Sequence, residues 1–272
     1  MTHVTSMAPE VRMTVLEGLR VADVTVRFGP LTAVDGAGLL APPGAVTGLV
    51  GPRGAGKTTL CDVIAGVRRP AEGTVHLDGE DLTGTAARAR ARHGIARAFQ
   101  RPARPRAWPF PGPTLRESVR AAAERSARDR FGRDRLGRDR RRRPDAAGRA
   151  EDALARAGVA EFAGRRAAET PPEVAALAGL ARALASEPSV LLLDEPWTAL
   201  PERRSRALEV LLRDLAAEGL AVLVACDGLE PAMGVCDVLH VLDAGRVVAA
   251  GPPVEVRAEV GATAAPRVSR RG

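Results

Sequence analysis

The sequence predicts an α/β fold whose core is a mostly parallel sheet, and its apolar runs are the main support for this. Continuous runs at Ala45–Val50, Ser189–Leu193 and Leu220–Cys226 are typical of strands buried on both faces. Between them lie stretches with helical spacing, such as the leucines of Arg203–Glu218. Strands that alternate with helices favour a parallel sheet covered by helices.

Further strands are predicted on either side of this core. Val21–Arg27 is rich in β-branched residues, and Gly73–Leu77 leads into a turn. Near the end of the chain, Val238–Leu242 and Arg246–Ala250 are predicted to form a closing hairpin. The intervening Leu115–Leu184 has a largely helical pattern, so a helical region is expected between two parts that contain strands.

The composition limits the class of protein. Of the 272 residues, 45% are hydrophobic, which is enough to bury a sizeable core. The three cysteines are widely separated and lack metal-ligand spacing, so a reducing, cytoplasmic setting is expected. No apolar run reaches the roughly 18–20 residues that span a bilayer, and the first residues lack the pattern of a secretory signal. Membrane association is therefore expected only through partners or a surface patch.

The net charge of +7 could indicate a nucleic-acid or anionic-membrane partner. Much of this charge lies in Arg120–Arg149, where Asp129, Asp134 and Asp139 are interleaved with the arginines. We interpret the segment as a solvated charged helix or loop, and we expect no nucleic-acid partner.

A glycine-rich motif follows the predicted strand Ala45–Val50. Residues Gly51–Thr58 match G-x-x-x-x-G-K-[ST]. Glycines let several backbone N–H groups point at one phosphate, and the next helix directs its positive end at the same anion. Lys57, the only lysine of the chain, is predicted to reach the β- and γ-phosphates of ATP, and the Thr58 hydroxyl to bind Mg²⁺.

Two acidic residues end the apolar run that begins at Val190. A carboxylate at the C-terminal end of such a strand lies beside the phosphate motif in parallel sheets. Asp194 is predicted to hold Mg²⁺, and Glu195 to polarise the attacking water as a general base. Alternatively the two acids only cap the next helix, but the phosphate motif favours the catalytic interpretation.

The order of these motifs resembles that of the ATP-binding subunits of ABC transporters, over about Thr14 to Glu255. The long insertion before Ala153 resembles the branched-chain amino acid importer branch in particular. The segments that carry this closer resemblance are Arg27-Phe28-Gly29, Ala33-Val34, Gly51-Pro52, Gly54–Thr59, Gly94–Arg97 and Phe99-Gln100.

The resemblance implies a P-loop NTPase fold of the ABC type. Its parts would be a RecA-like α/β core, an N-terminal antiparallel β subdomain and an inserted helical subdomain. Phe28 would stack on adenine, and Gln100 would sense the γ-phosphate or Mg²⁺ and relay this to the membrane subunits. Catalytic roles would fall to Glu195 and Gln100. The residues implied to contact ATP are Phe28, Gly51, Gly54, Ala55, Gly56, Lys57, Thr58 and Thr59, and those implied to hold the metal are Thr58, Gln100 and Asp194.

The resemblance also implies domain boundaries and partners. Residues 14–100 and 185–255 would form the ATP-binding core, and residues 101–184 the helical subdomain with the basic insertion near 120–149. Residues 1–13 and 256–272 are expected to be flexible tails. The implied partners are transmembrane permeases, a second ATP-binding subunit, identical or different, and indirectly a solute-binding protein. The implied location is the cytoplasmic face of the plasma membrane.

The first departure from the family pattern concerns the signature loop. In the family two subunits enclose ATP, and each lends a Ser-Gly-Gly-Gln-like loop to the γ-phosphate held by the other. Counting back from Ala181-Arg182 places this loop at Thr170–Ala175, which contains two prolines and Glu173. Prolines lack N–H donors and a carboxylate repels phosphate, so this loop is expected to contribute little to the ATP of a partner.

The second departure concerns the switch histidine. Counting back from Cys236-Asp237 places that position at Asp227, whereas counting forward from the strand places it at Cys226. Neither residue is a histidine, and an aspartate would repel the γ-phosphate that the histidine normally contacts.

Three functions remain open at this point. The first is a transport ATPase subunit, with amino acids as the expected cargo. The second is a catalytically weak nucleotide-binding subunit of an asymmetric pair. The third, prompted by the basic charge, is a DNA-associated ABC ATPase, but the sequence has neither the sustained heptads nor the zinc-ligand cysteines usual in such proteins.

Overall fold

The computed structural model describes residues 17–99, 112–131 and 145–264. In these ranges the strands are β1 (Leu19–Phe28), β2 (Leu31–Ala41), β3 (Val46–Val50), β4 (Glu72–Leu77), β5 (Glu80–Asp81), β6 (Ile95–Ala98), β7 (Val190–Asp194), β8 (Ala221–Cys226), β9 (Val238–Asp243) and β10 (Arg246–Gly251). The helices are α1 (Lys57–Ile64), α2 (Ala87–Arg92), α3 (Leu115–Phe131), α4 (Ala146–Arg156), α5 (Pro172–Leu184), α6 (Glu202–Ala217), α7 (Glu230–Met233) and α8 (Pro253–Ala264).

The larger sheet is the predicted parallel core. Its strand order is β10-β9-β3-β8-β7-β6, and every pair from β9 to β6 is parallel. The predicted hairpin of β9 and β10 closes one edge as an antiparallel pair. The three apolar runs therefore lie side by side as β3, β8 and β7, and all their strand residues are buried.

The smaller sheet is antiparallel, as the expected fold class requires. Its order is β2-β1-β4-β5. The sequence analysis did not predict β2 as a strand. Its pattern is weak because Gly36 takes a left-handed backbone, with φ of 64°, and the register between β1 and β2 is irregular.

The two faces of the parallel sheet pack against different parts of the chain. Along β7, Leu191 and Leu193 belong to the apolar cluster that includes the helical region, whereas Val190 and Leu192 belong to the cluster shared with α1 and the antiparallel sheet. Side chains alternate between the faces of a strand, so Asp194 continues the row that faces α1. The phosphate motif and the first acid are thus brought together by simple strand alternation.

Helices α3, α4 and α5 form the region that the sequence predicted to be helical. Asp145 caps α4 by accepting hydrogen bonds from the N–H groups of Ala147 and Gly148. The described parts of the basic segment lie in α3 and α4, where Arg120 pairs with Glu124 one helical turn away. Residues 132–144, including the arginine run, lie outside the described ranges.

The segment after residue 255 differs from the expected tail. Helix α8 continues to Ala264, and Val256 is buried in the same cluster as the helical region. Because Val254 on this helix is exposed, the apolar pattern of the segment is too sparse to predict a helix from sequence. The short elements β6, α2 and α7 were likewise not predicted. Within the described ranges, no helix combines the length and the apolar character needed to cross a bilayer.

Candidate functional site

The glycine-rich motif forms a loop between β3 and α1, at the carboxyl edge of the parallel sheet. Gly56 stands at the N-cap position of α1 with φ of 107°, a conformation that residues with a Cβ rarely adopt. A Cβ on Gly51 would collide with the carbonyl oxygen of Leu242, and one on Gly56 with that of Ala33. The fold itself therefore requires glycine at both positions. The absence of a side chain there also leaves room for a ligand.

The loop and the first turn of α1 are suited to an anion. Gly56, the N-cap residue of α1, has no side chain with which to cap the helix, and the N–H groups of Lys57, Thr58 and Thr59 have no acceptor within the helix. The loop itself is closed by a hydrogen bond from the N–H of Ala55 to the carbonyl of Pro52, 3.1 Å long. Uncapped N–H groups at a helix start are a recognised phosphate site, so this chain fits the phosphates of a nucleotide.

Lys57 lies inside the loop, with only 5% of its surface exposed. Its Nζ donates to the carbonyl oxygens of Gly51 and Pro52, at 2.8 and 3.0 Å, and to Oδ1 of Asp227, at 2.7 Å. A second carboxylate oxygen, Oε1 of Glu195, lies 3.6 Å from the same nitrogen. The ammonium group is thus placed between the phosphate loop and the ends of β7 and β8.

Asp194 and Thr58 form the predicted metal-binding pair. The Thr58 hydroxyl donates to Oδ1 of Asp194 at 3.3 Å, so two hard oxygen ligands stand side by side. The other oxygen, Oδ2, accepts a hydrogen bond from Arg97 at 2.7 Å, and Arg97 also pairs with Asp62 of α1 at 2.5 Å. This set suits Mg²⁺, which commonly binds one or two protein oxygens together with waters and phosphate. The sequence motif that contains Arg97 indicates no role for it, and the structure places it in contact with the carboxylate that is predicted to bind the metal.

Glu195 has an unusual backbone at the end of β7. Its φ and ψ are 54° and 47°, in the left-handed region, and its N–H donates to the carbonyl of Ala225 at 2.9 Å. Strained backbone of this kind concentrates at functional sites. Burial raises the pKa of Glu195 above its ordinary value, and the neighbouring Asp227 carboxylate raises it further. A carboxyl group with a raised pKa is the type that serves in proton transfer.

Asp227 is one of the two residues that the sequence offers for the switch position, and Cys226 is the other. Asp227 follows directly after β8, and its carboxylate accepts from Lys57 and, at 3.0 Å, from Nε of Arg53. Burial opposes its ionisation, but the hydrogen bonds from Lys57, Glu195 and Arg53 outweigh this and lower the pKa of Asp227 to about 2. Cys226 instead lies within the core with a Sγ contact to the Gly228 carbonyl. Of the two residues considered for the switch position, Asp227 is therefore the one whose side chain contacts the phosphate loop.

Phe28 ends β1 as an exposed aromatic side chain, 41% accessible. The guanidinium of Arg68 lies over its ring, 4.1 Å from the centroid. The sequence analysis missed Arg68 because the contact joins residues distant in sequence. Gln100, predicted to sense the γ-phosphate, lies outside the described residues.

The segment predicted to hold the signature position lies at the start of α5. Pro171 is the N-cap residue, Pro172 follows at the first helical position and Glu173 lies in the first turn. The two prolines have no N–H to donate. This helix start therefore presents fewer donors than the glycine-rich loop of the family and adds a carboxylate.

Comparison with known proteins identifies the family. A family model described as "ABC transporter" matches residues 34–198, more than half of the chain. The chain belongs to the ABC transporter family. This ABC cassette is 31% identical to the high-affinity branched-chain amino acid transport ATP-binding protein BraF of Pseudomonas aeruginosa, over 88% of this chain and 93% of that protein.

Two further comparisons concern the ABC cassette's length and fold. It is 35% identical to the sulfate/thiosulfate import ATP-binding protein CysA of Mycobacterium tuberculosis over 87% of this chain, but it spans only 62% of that longer relative. Among solved structures it is similar to MJ1267, described as an ATP-binding cassette of an ABC transporter. The TM-score is 0.74 and the identity 25%, with 90% of this chain and 94% of that chain covered.

Proposed function

We propose that the chain binds Mg-nucleotide at Gly51–Thr59 and hydrolyses ATP as the motor subunit of a membrane transporter. The observation that supports this most directly is the position of Lys57. It is buried at the start of α1, and its Nζ lies 3.6 Å from Oε1 of Glu195. Thr58 and Asp194 are the residues that would hold Mg²⁺. When bound, the metal neutralises charge on phosphate oxygens.

Each side chain has a role in this proposal. The N–H groups of the first turn of α1 hold the phosphates, and Lys57 adds a positive charge that backbone groups cannot supply. Glu195 orients the attacking water and accepts its proton, for which its pKa is raised. Phe28 offers an exposed ring on which the adenine can stack, beside the guanidinium of Arg68. Gln100 remains a predicted sensor of the γ-phosphate.

Replacement of Lys57 by alanine tests the binding site. Removal of the ammonium group is expected to weaken Mg-ADP binding by about a hundredfold in calorimetry, because a buried charge partner of the phosphates is lost.

Since Lys57 is the only lysine, covalent modification of side-chain amines in the unaltered protein reports on this site alone, and Mg-ADP is expected to slow it. Arg88→Ala, at an exposed position on α2, is the matched control that removes a cation elsewhere. Nucleotide affinity equal to the parent's in Lys57→Ala would contradict the proposal.

The cargo and the partners are further parts of the proposal. Gly94–Arg97 and the other segments quoted above resemble the branched-chain amino acid importer branch, and this chain is 31% identical to BraF, whose name specifies branched-chain amino acid transport. We therefore place the chain on the cytoplasmic face of a plasma membrane with permease subunits that import branched-chain amino acids, supplied by a solute-binding protein. In cells carrying Lys57→Ala, leucine uptake is expected to fall while sulfate uptake is retained. The opposite pattern would assign the chain to sulfate import.

An asymmetric pair is the second candidate arrangement. The prolines and Glu173 at the start of α5 favour it, because this helix start is poorly suited to contact a triphosphate on a partner. In such a pair the other subunit, with a glycine-rich signature, completes the ATP site of this chain. ATP turnover that rises when a second, different cassette is added would support the arrangement.

A further inference from the structure

The carboxylate of Asp227 is bound by the two cationic side chains of the phosphate loop. Its Oδ1 accepts from Nζ of Lys57 at 2.7 Å, and its Oδ2 accepts from Nε of Arg53 at 3.0 Å. Its own N–H donates to Oε2 of Glu195 at 3.2 Å, which fixes the backbone beside the catalytic candidate. Both carboxylate oxygens are therefore engaged by cations that belong to the nucleotide site.

The hydrogen-bonding capacity of Lys57 is already used. An ammonium group has three N–H donors, and here they serve the carbonyls of Gly51 and Pro52 and the carboxylate of Asp227. Two of these acceptors are parts of the loop backbone, and Asp227 is the charged one. A phosphate oxygen that approaches Nζ must therefore take the place of one of them, and Asp227 occupies the place suited to an anion.

The two ends of a nucleotide's phosphate chain meet different surroundings. In the proposed binding mode the loop N–H groups and the start of α1 hold the inner phosphates. A terminal phosphate would extend toward the ends of β7 and β8, where Oε1 of Glu195 and Oδ1 of Asp227 lie 3.6 and 2.7 Å from Nζ of Lys57. A phosphate bound to this Nζ would lie close to both carboxylates, whose like charge opposes it, and it would also separate Asp227 from its cations.

We infer that Asp227 takes the place of a terminal phosphate on Lys57 and Arg53, so that this site selects a nucleoside diphosphate over a triphosphate. The inference rests on the proposed nucleotide binding and names the ligand class that the site prefers. Asp227 is thereby a specificity-determining residue, and ATP enters only when its carboxylate leaves the lysine.

Calorimetry with two probes tests this selection. The affinities of Mg-ADP and of the magnesium complex of the non-hydrolysable β,γ-imido analogue of ATP are measured for the parent protein and for Asp227→Asn. In the parent, Mg-ADP is expected to bind at least about tenfold more tightly than the analogue. Asp227→Asn removes the charge but keeps the size, and it is expected to strengthen analogue binding by about tenfold while Mg-ADP affinity changes less than about threefold.

Asp152→Asn is the matched control, since it removes one carboxylate from an exposed position on α4. It is expected to leave both affinities unchanged. Equal affinities of the two probes in the parent protein would overturn the inference while leaving nucleotide binding intact, and this measurement does not depend on the folding of any variant. An equal gain for both probes in Asp227→Asn would overturn it as well. Failure of both probes to bind the parent at millimolar concentration would overturn the proposed function together with the inference.

Discussion

Glu195 and Asp227 both lie beside the ammonium group of Lys57, at 3.6 and 2.7 Å from its Nζ. Burial raises the pKa of Glu195, the Asp227 carboxylate adds to that rise, and Lys57 partly offsets it. In Asp227→Asn the negative neighbour is gone while burial and Lys57 remain. The pKa of Glu195 is therefore expected to fall toward its ordinary value, so that the group ionises at lower pH. Titration of the glutamate carboxyl carbons by ¹³C NMR measures this, with Glu195→Gln used to assign the resonance.

The sign of this change separates two accounts of the site. If Asp227 acts on Glu195 mainly through charge, the titration midpoint moves down, and Asp152→Asn leaves it in place. A midpoint that stays in place or moves up in Asp227→Asn would contradict the charge account.

At the level of single residues, the sequence predicts that Lys57, Thr58, Asp194 and Glu195 lie near one another, and the structure brings them together. Their positions follow from local motifs, because each stands at a strand end or a helix start. Arg97 could not be assigned from its neighbours in sequence, because its partners lie on α1 and β7. The same holds for the arginines at positions 53 and 68, whose contacts are with Asp227 and Phe28. Arginine side chains reach far and their partners are set by tertiary packing.

At the scale of elements, the end of α1 is tied to α2 by one buried arginine. Arg90 is 1% exposed, and its Nη1 donates to the carbonyls of Val63 and Ile64, at 2.5 and 2.7 Å. These are carbonyls at the C-terminus of α1, which helix geometry leaves without intrahelical partners. Arg90→Met removes these donors, so the Val63 carbonyl keeps only its bond from the Gly66 N–H and the Ile64 carbonyl loses its Arg90 partner. We expect a loss of about 3 kcal/mol in the free energy of unfolding, measured by urea denaturation.

Arg88→Met on the exposed face of the same helix is the control for this change. It removes an arginine of the same helix without a buried partner, and it is expected to change the free energy of unfolding by less than about 0.5 kcal/mol. Equal effects of the two substitutions would show that Arg90 contributes through helix propensity rather than through the carbonyls of α1.

Elements differ in how far the sequence determines them. Strands β3, β7 and β8 are predictable because burial on both faces demands an uninterrupted apolar run. Strand β2 is not predictable, because its glycines interrupt the apolar pattern and its extended backbone is held by pairing with β1. Helix α8 is similar, because one buried residue, Val256, attaches it to the core. Elements held by a few tertiary contacts carry little local signal.

At the scale of the whole molecule, both altered positions place acid where the family pattern has none. Asp227 lies beside the phosphate loop of the chain itself, and Glu173 lies at the start of α5 in the helical region. In the arrangement that the family resemblance implies, two cassettes face each other and α5 of one approaches the terminal phosphate bound by the other. Two copies of this chain would then put Asp227 and the partner copy's helix start around each triphosphate, which disfavours a homodimer closed on ATP.

Self-association in the presence of ATP tests this argument. The test uses a variant that carries Asp227→Asn and Glu195→Gln. This variant keeps Lys57, lacks two negative charges beside the nucleotide and is expected not to hydrolyse ATP, so that Mg-ATP can stay bound. Addition of Glu173→Gln to this protein removes the acid from the first turn of α5, and it is expected to strengthen ATP-dependent dimerisation by about tenfold in sedimentation velocity. The control is Glu161→Gln, an exposed acid in a different turn of the helical region, which is expected to have no effect. Strong dimerisation with Glu173 intact would mean that the start of α5 tolerates a triphosphate, and the chain would then work as a symmetric pair. If dimerisation instead requires the removal of Glu173, the result points to a different partner subunit that supplies the missing N–H donors. In such a pair the carboxylate of Glu173 does no harm, because the ATP site that it faces on the partner does not have to close.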